Sequence, residues 1–115
     1  MSTLQGKVAL ITGGNSGIGL ASAELIGRGI RVNTITTGAI ETPILERAGN
    51  PPEVVEALRK MFASRVPVKR MGRPEEVAKV ALFLASSDSS FVVGTEIAAD
   101  GGSTANIRPL PPQNQ

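Results

Sequence analysis

The segment from Lys7 to Ile26 constrains the fold of this chain more than any other. Lys7 to Thr12 reads Lys-Val-Ala-Leu-Ile-Thr, a short apolar run rich in branched residues. Such a run suits a strand buried on both faces. Gly13-Gly14-Asn15-Ser16-Gly17-Ile18-Gly19 follows as a glycine-dense turn, and residues 17–26, with Leu20, Ala21, Ala23 and Leu25 and no Pro, suit a helix. Gly27 and Gly29, on either side of Arg28, would stop it. Backbone N–H groups at the start of such a helix, together with its dipole, favour an anion. The spacing Thr12-Gly13-x-x-x-Gly17-x-Gly19 is not the G-x-G-x-x-G fingerprint. Taken alone, the turn reads equally as a phosphate cradle or as a tight connection.

The rest of the chain alternates in the same manner. Ile30 to Ile35 has the composition of a second strand, and Thr36 to Pro43 reads as a loop. A helix is expected over residues 51–64, covering the sheet with Val54, Val55, Leu58, Met61 and Phe62 on one stripe. Pro67 to Arg73 is a second loop. Pro74 fits a first helical turn, and Glu75-Glu76 suit the positive end of the dipole of a helix over 74–86. That helix is apolar nearly all round, which implies cover on two sides, by a sheet and by another subunit. A third strand is expected near residues 95–99, ended by Asp100-Gly101-Gly102. Residues 1–104 read as one domain. Residues 105–115, with Pro109, Pro111 and Pro112, read as a loose tail.

Missing residue types exclude whole chemistries. The chain has 115 residues with no Cys, His, Tyr or Trp. Disulfides, thiolate–zinc sites, cysteine nucleophiles, Ser-His-Asp triads, histidine-ligated metals and tyrosyl acid–base catalysis are therefore closed to it. Twelve Lys and Arg against ten Asp and Glu give a net charge of +2, too balanced for a nucleic-acid partner. No apolar run reaches the length of a membrane span, and the N-terminus lacks the apolar stretch of a signal peptide, so a cytoplasmic protein is expected.

Several motifs together carry a family resemblance. Thr12-Gly13-Gly14-Asn15-Ser16-Gly17-Ile18-Gly19 resembles the cofactor turn of the short-chain dehydrogenase/reductase family. So do Gly29-Ile30-Arg31-Val32-Asn33 and Thr37-Gly38-Ala39-Ile40-Glu41-Thr42-Pro43, with Thr37-Gly38 where the family usually has Pro-Gly. The resemblance continues through Arg70-Met71-Gly72-Arg73-Pro74-Glu75-Glu76-Val77, Leu82-Phe83-Leu84-Ala85-Ser86, Val93-Gly94-Thr95-Glu96-Ile97 and Asp100-Gly101-Gly102. It implies a reduced, Rossmann-like, three-layer α/β fold with a short, mostly parallel sheet of about three strands. It also implies NAD or NADP as cofactor. Gly13, Asn15, Ser16, Gly17, Ile18 and Gly19 would contact the diphosphate and adenosine ribose, and Gly38, Ile40 and Thr42 the nicotinamide carboxamide and phosphates. Thr42 before Pro43 equally suits a helix N-cap, and the two roles can coexist.

The departure from the family is as informative. Its middle section, with the second and third strands, the Asn-Asn-Ala-Gly motif, the catalytic Ser and the Tyr-x-x-x-Lys pair, has no counterpart here. The first helix runs directly into the late Gly-Ile-Arg-Val-Asn strand, with a junction near Ala23-Glu24-Leu25. The ribose-holding carboxylate expected about 20 residues after the turn is also missing. The strand ends at Thr36-Thr37, and Glu41 belongs to the late loop. Arg65, Lys69, Arg70 and Arg73 form a basic loop that either faces an anion or is a solvated face, with Arg73 tied to Glu75 or Glu76.

Three functions follow as expectations. One is a truncated relative that binds dinucleotide with little or no Tyr/Lys-type hydride transfer. Another is an NAD(P)-dependent oxidoreductase with an atypical mechanism. The third is a non-catalytic oligomerising module or deletion product. A homodimer or higher oligomer is expected through the Val77–Ala85 helix and the Glu96–Ala99 strand.

Overall fold

The computed structural model describes residue 8 to residue 12 as strand backbone and residues 24–105 in full. The glycine turn, most of the first expected helix and residues 106–115 lie outside the described residues. Three parallel strands, β1 (Val8–Thr12), β2 (Arg31–Thr37) and β3 (Glu96–Ala99), form one sheet in the order β1-β2-β3. Helices α1 (Ile44–Arg47), α2 (Pro52–Arg65) and α3 (Pro74–Ala85) lie between β2 and β3 in sequence, and a 3₁₀ turn at Ser87–Ser89 follows α3.

Residues 24–27 close the helix that feeds β2. Gly29 has φ +78°, a conformation L side chains rarely adopt, and the amides of Arg28 and Ile30 donate to the Leu25 carbonyl. Glycine thus ends this helix as its left-handed stop. β2 then runs through the centre of the sheet with Val32, Asn33, Thr34 and Ile35 all buried. Its imperfect alternation has a physical basis, because both faces are covered and the buried Asn33 side chain is hydrogen-bonded. The Asn33 amide donates to the Val92 carbonyl at 3.0 Å and accepts from the Thr95 amide at 3.1 Å. β2 also extends to Thr37, two residues beyond the expected boundary, because Thr36 and Thr37 pair with Ala98 and Ala99.

α3 starts at Pro74, with Glu76 accepting from the Arg73 amide at 3.0 Å. It packs across all three strands, buries Leu84 completely, and leaves Leu82 and Phe83 outward. Its C-terminal carbonyls are met by one side chain from β2. The Arg31 guanidinium donates to the carbonyls of Leu84, Ser86, Ser89 and Val92 and to the Ser89 hydroxyl, at 2.7–3.3 Å. A cation at this end also complements the helix dipole.

α2 departs from expectation. It packs on α1 rather than covering a strand. Of its apolar stripe only Val55 is buried, while Val54 and Met61 are exposed. A stripe states that a helix face seeks apolar cover, not which element supplies it. α1 does begin just after Thr42-Pro43, but its N-cap is Pro43 with no side-chain capping bond, so Thr42 does not cap it.

Candidate functional site at the carboxyl ends of the strands

Parallel pairing places the ends of β1 and β2 side by side. Thr12 lies in register with Ile35, so the chain enters the glycine turn two residues before β2 itself ends at Thr37. The strands that precede the two stretches expected to contact a dinucleotide therefore end on the same side of the sheet. Open parallel sheets bind ligands outside their carboxyl ends, usually where the strand order reverses. Here the order runs β1-β2-β3 without a reversal among the described residues.

Gly38 is fixed by its neighbour. Its amide donates to the Ala99 carbonyl at 3.2 Å. A Cβ on Gly38 would lie 2.8 Å from the Asp100 Cβ and 2.9 Å from its Cα. This glycine is required by the approach of two strand ends, and its N–H is already used. Asp100 is held in turn, accepting from the Thr104 hydroxyl and from the amides of Gly102 and Thr104 at 3.0 Å. These bonds, the Thr104 hydroxyl foremost, keep its carboxyl below the ordinary range.

Ile40 is pinned as well. The Gly72 amide donates to the Ala39 carbonyl at 2.9 Å, and the Glu41 amide to the Gly72 carbonyl at 2.8 Å. The Ile40 side chain then separates two cavities. One, of about 460 Å³, opens between the ends of β2 and β3 and α3, against Val77, Val80, Ala99 and Gly102. The other, of about 240 Å³, is apolar and lies under Thr42, Ile44, Leu45, Phe62 and Met71. Thr42 is exposed at its edge, and its carbonyl accepts from Arg59 at 3.3 Å. Of the nine expected site residues, Gly38, Ile40 and Thr42 thus gather at one loop. Gly13, Asn15, Ser16, Gly17, Ile18 and Gly19 lie outside the described residues.

The basic loop is partly neutralised. Arg70 makes a two-pronged ion pair with Glu76 at 2.7 and 2.9 Å on the rim of the larger cavity, and Arg73 approaches the same carboxylate at 3.5 Å. The Arg70 hydrogen bonds and then the Arg73 amide bring the Glu76 carboxyl down to about 2. Glu76 rather than Glu75 is the acid that matters, and Arg70 rather than Arg73 is its main partner. The sequence signal for this was the first-turn position of Glu76, but the partner six residues back required the fold of the loop. Lys69 ends α2 by donating from Nζ to the Ser64 carbonyl at 2.8 Å, with its backbone at φ +62°.

Comparison with known proteins assigns this arrangement. A family described as Enoyl-(Acyl carrier protein) reductase matches residues 16–104. The chain belongs to the short-chain dehydrogenase/reductase family. It is 51% identical over 79 residues to the 3-oxoacyl-(acyl-carrier-protein) reductase FabG of Thermotoga maritima, a match covering 69% of this chain and 30% of the relative. It is 49% identical over 89 residues to the short-chain dehydrogenase/reductase bsc3 of Alternaria brassicicola, covering 76% and 31%. These matches span about 30% of the length of either relative. Among solved structures, a Caenorhabditis elegans short-chain dehydrogenase/reductase with cofactor aligns with a TM-score of 0.65 and 34% identity, over 74% of this chain and 33% of that one. A C-terminal deletion mutant of Thermoplasma acidophilum aldohexose dehydrogenase aligns with a TM-score of 0.72 and 26% identity, over 84% and 50%. The expected reduced α/β fold with a parallel sheet is thereby established. No helix among the described residues is long and apolar enough to cross a membrane.

Proposed function

We propose that this chain is a truncated short-chain dehydrogenase/reductase that holds part of a nicotinamide dinucleotide and carries out little or no Tyr/Lys-type hydride transfer. The observation that supports this reading is the parallel pairing of β1 and β2, which sets Thr12, the residue before the glycine turn in sequence, in register with Ile35, three residues before Gly38. Gly13, Asn15, Ser16, Gly17, Ile18 and Gly19 would take the diphosphate on backbone amides at a helix start. Ile40 offers an apolar wall, and Thr42 an exposed hydroxyl able both to donate and to accept. Gly38 shapes the loop rather than donating to the ligand, since its N–H is bonded to Ala99.

The residues present fit a partial site. The larger cavity falls within the usual range of small-molecule pockets, about 300–1,000 Å³, and the smaller one falls below it. A bound nicotinamide cofactor supplies a hydride. The chain's own contribution would be to bind and orient it, because with no Tyr it cannot provide a tyrosyl general acid. The lack of a carboxylate at the end of β2, and of a strand-order reversal among the described residues, favours weak binding without discrimination between NAD and NADP.

A second reading, a non-catalytic oligomerising module, is favoured by the apolar surface around α3 and β3. Leu82, Phe83, Phe91 and Val93 are all exposed, Phe91 fully. Contact between copies through the Val77–Ala85 helix and the Glu96–Ala99 strand would cover them. Thermal titration with NAD(H) and NADP(H) tests the first reading, since ligand at a hundred times its Kd adds about 2.7 kcal/mol of stability. A rise in Tm that disappears in Gly17→Ala is expected, with no NAD(P)H oxidation on generic carbonyl substrates. No rise with either cofactor overturns it and leaves the oligomerising module. Oxidation of NAD(P)H would restore the atypical oxidoreductase.

A further inference from the structure

We propose that the outer edge of β1 is a self-association edge, through which two copies of this chain pair antiparallel along Val8–Thr12 about a two-fold axis. The order β1-β2-β3 gives β1 one neighbour. Its register runs from Val8 opposite Arg31 to Thr12 opposite Ile35, and nothing among the described residues pairs its other edge. Along a parallel strand the residues address their backbone groups to the two sides alternately, so about half of the β1 N–H and C=O groups point away from β2. An unpaired row of this kind is a template for another strand.

Edge strands are normally guarded by charge, Pro, a bulge or shortness. β1 has none of these. Its five residues are Val-Ala-Leu-Ile-Thr, uncharged and three of them β-branched. That is the composition of a strand from the interior of a wider parallel sheet, standing here at the margin. The opposite edge is guarded, since β3 is only four residues long and opens on the exposed Glu96.

A second copy of this chain is the occupant that charge and symmetry favour. Antiparallel pairing about Leu10 sets Val8 opposite Thr12 and Ala9 opposite Ile11 of the other copy, with no charge inside the ladder. Joining β1 of one copy to β3 of the next would be head to tail, without closure, and would bring Glu96 into the ladder. The antiparallel arrangement alone closes as a dimer with a continuous six-stranded sheet.

The absence of cysteine gives a clean test. Residues directly opposite in an antiparallel pair have Cα atoms about 4.5–5.5 Å apart, within disulfide reach. Position 10 alone faces itself, whereas two copies of residue 8 would be separated by about 14 Å. Under mild oxidation, Leu10→Cys is expected to cross-link several-fold more than Val8→Cys, Thr12→Cys or the β3 variant Ala98→Cys. Hydrogen exchange on the unaltered chain provides a second readout that no variant can spoil. Consecutive amide protection over residues 8–12 at high concentration, becoming alternate on dilution, supports the pairing. Alternate protection at every concentration overturns it, as does a folded Leu10→Cys chain that stays uncross-linked. Neither measurement involves a dinucleotide, so the outcome is independent of the cofactor reading.

Discussion

Gly38 and Asp100 touch through main chain and Cβ, with room for no atom between them: a Cβ on Gly38 would lie 2.8 Å from that of Asp100. This contact joins the end of β2 to the turn after β3 and sets where the Gly38–Thr42 loop begins. The neighbour is backbone and Cβ rather than the flexible end of a side chain, so it cannot move aside cheaply. Gly38→Ala should destabilise the fold by about 1–3 kcal/mol, as overpacking does. Urea unfolding should show a lowered midpoint at an unchanged slope.

Arg31 anchors the other end of the sheet. Its guanidinium satisfies four carbonyls and a hydroxyl around the end of α3, with no carboxylate among these partners. Replacing it with Met keeps much of the apolar stem and removes every donor. The carbonyls left behind should cost about 2–4 kcal/mol. Arg31→Lys should recover only part of this, because an ammonium cannot span the carbonyls that the planar fork reaches. Chemical denaturation of the three proteins checks the order.

Glu76 makes stability depend on acid. Its folded pKa of about 2 lies below the ordinary 4.5, so between those values the unfolded chain binds more protons than the folded one. The contribution is complete above about pH 4.5 and is lost as pH falls toward 2. The Tm of Glu76→Gln should therefore fall below that of the parent chain at neutral pH and converge with it near pH 2. A gap that persists at pH 2 would place the effect in packing rather than in the Arg70 pair.

Leu82 and Phe91 should matter for association and little for folding. Leu82 is 70% exposed and Phe91 fully exposed, so neither supports the core of a single copy. Leu82→Lys and Phe91→Ser should change stability by no more than about 0.5 kcal/mol. Both should lower the sedimentation coefficient at a given concentration if α3 and β3 meet another copy. An unchanged coefficient would remove this surface as a contact.

Much of the architecture was legible in the residues. The three strands, the Pro74 start of α3, the stop at Gly29 and the gathering of Gly38, Ile40 and Thr42 follow from branched runs, proline and glycine chemistry and a family pattern. The weaker readings concerned partners. The stripe on α2 did not reveal that α1, rather than a strand, lies beside it. Thr42 had the chemistry of a cap, yet the cap position fell to Pro43.

What the sequence determined by itself is local or absolute. Periodicity, turn chemistry and the absence of Tyr, His and Cys act within a few residues or on the whole composition, and none needs a neighbour in space. What only the tertiary structure decided is pairwise. Gly38 serves a close approach to Asp100, Arg31 serves carbonyls more than fifty residues away, and an interior-type strand stands at the edge as β1 among the described residues. Such roles depend on which distant segments the sheet brings together. Backbone bonding and steric contact are set by that pairing, and a linear chain carries no local mark of it.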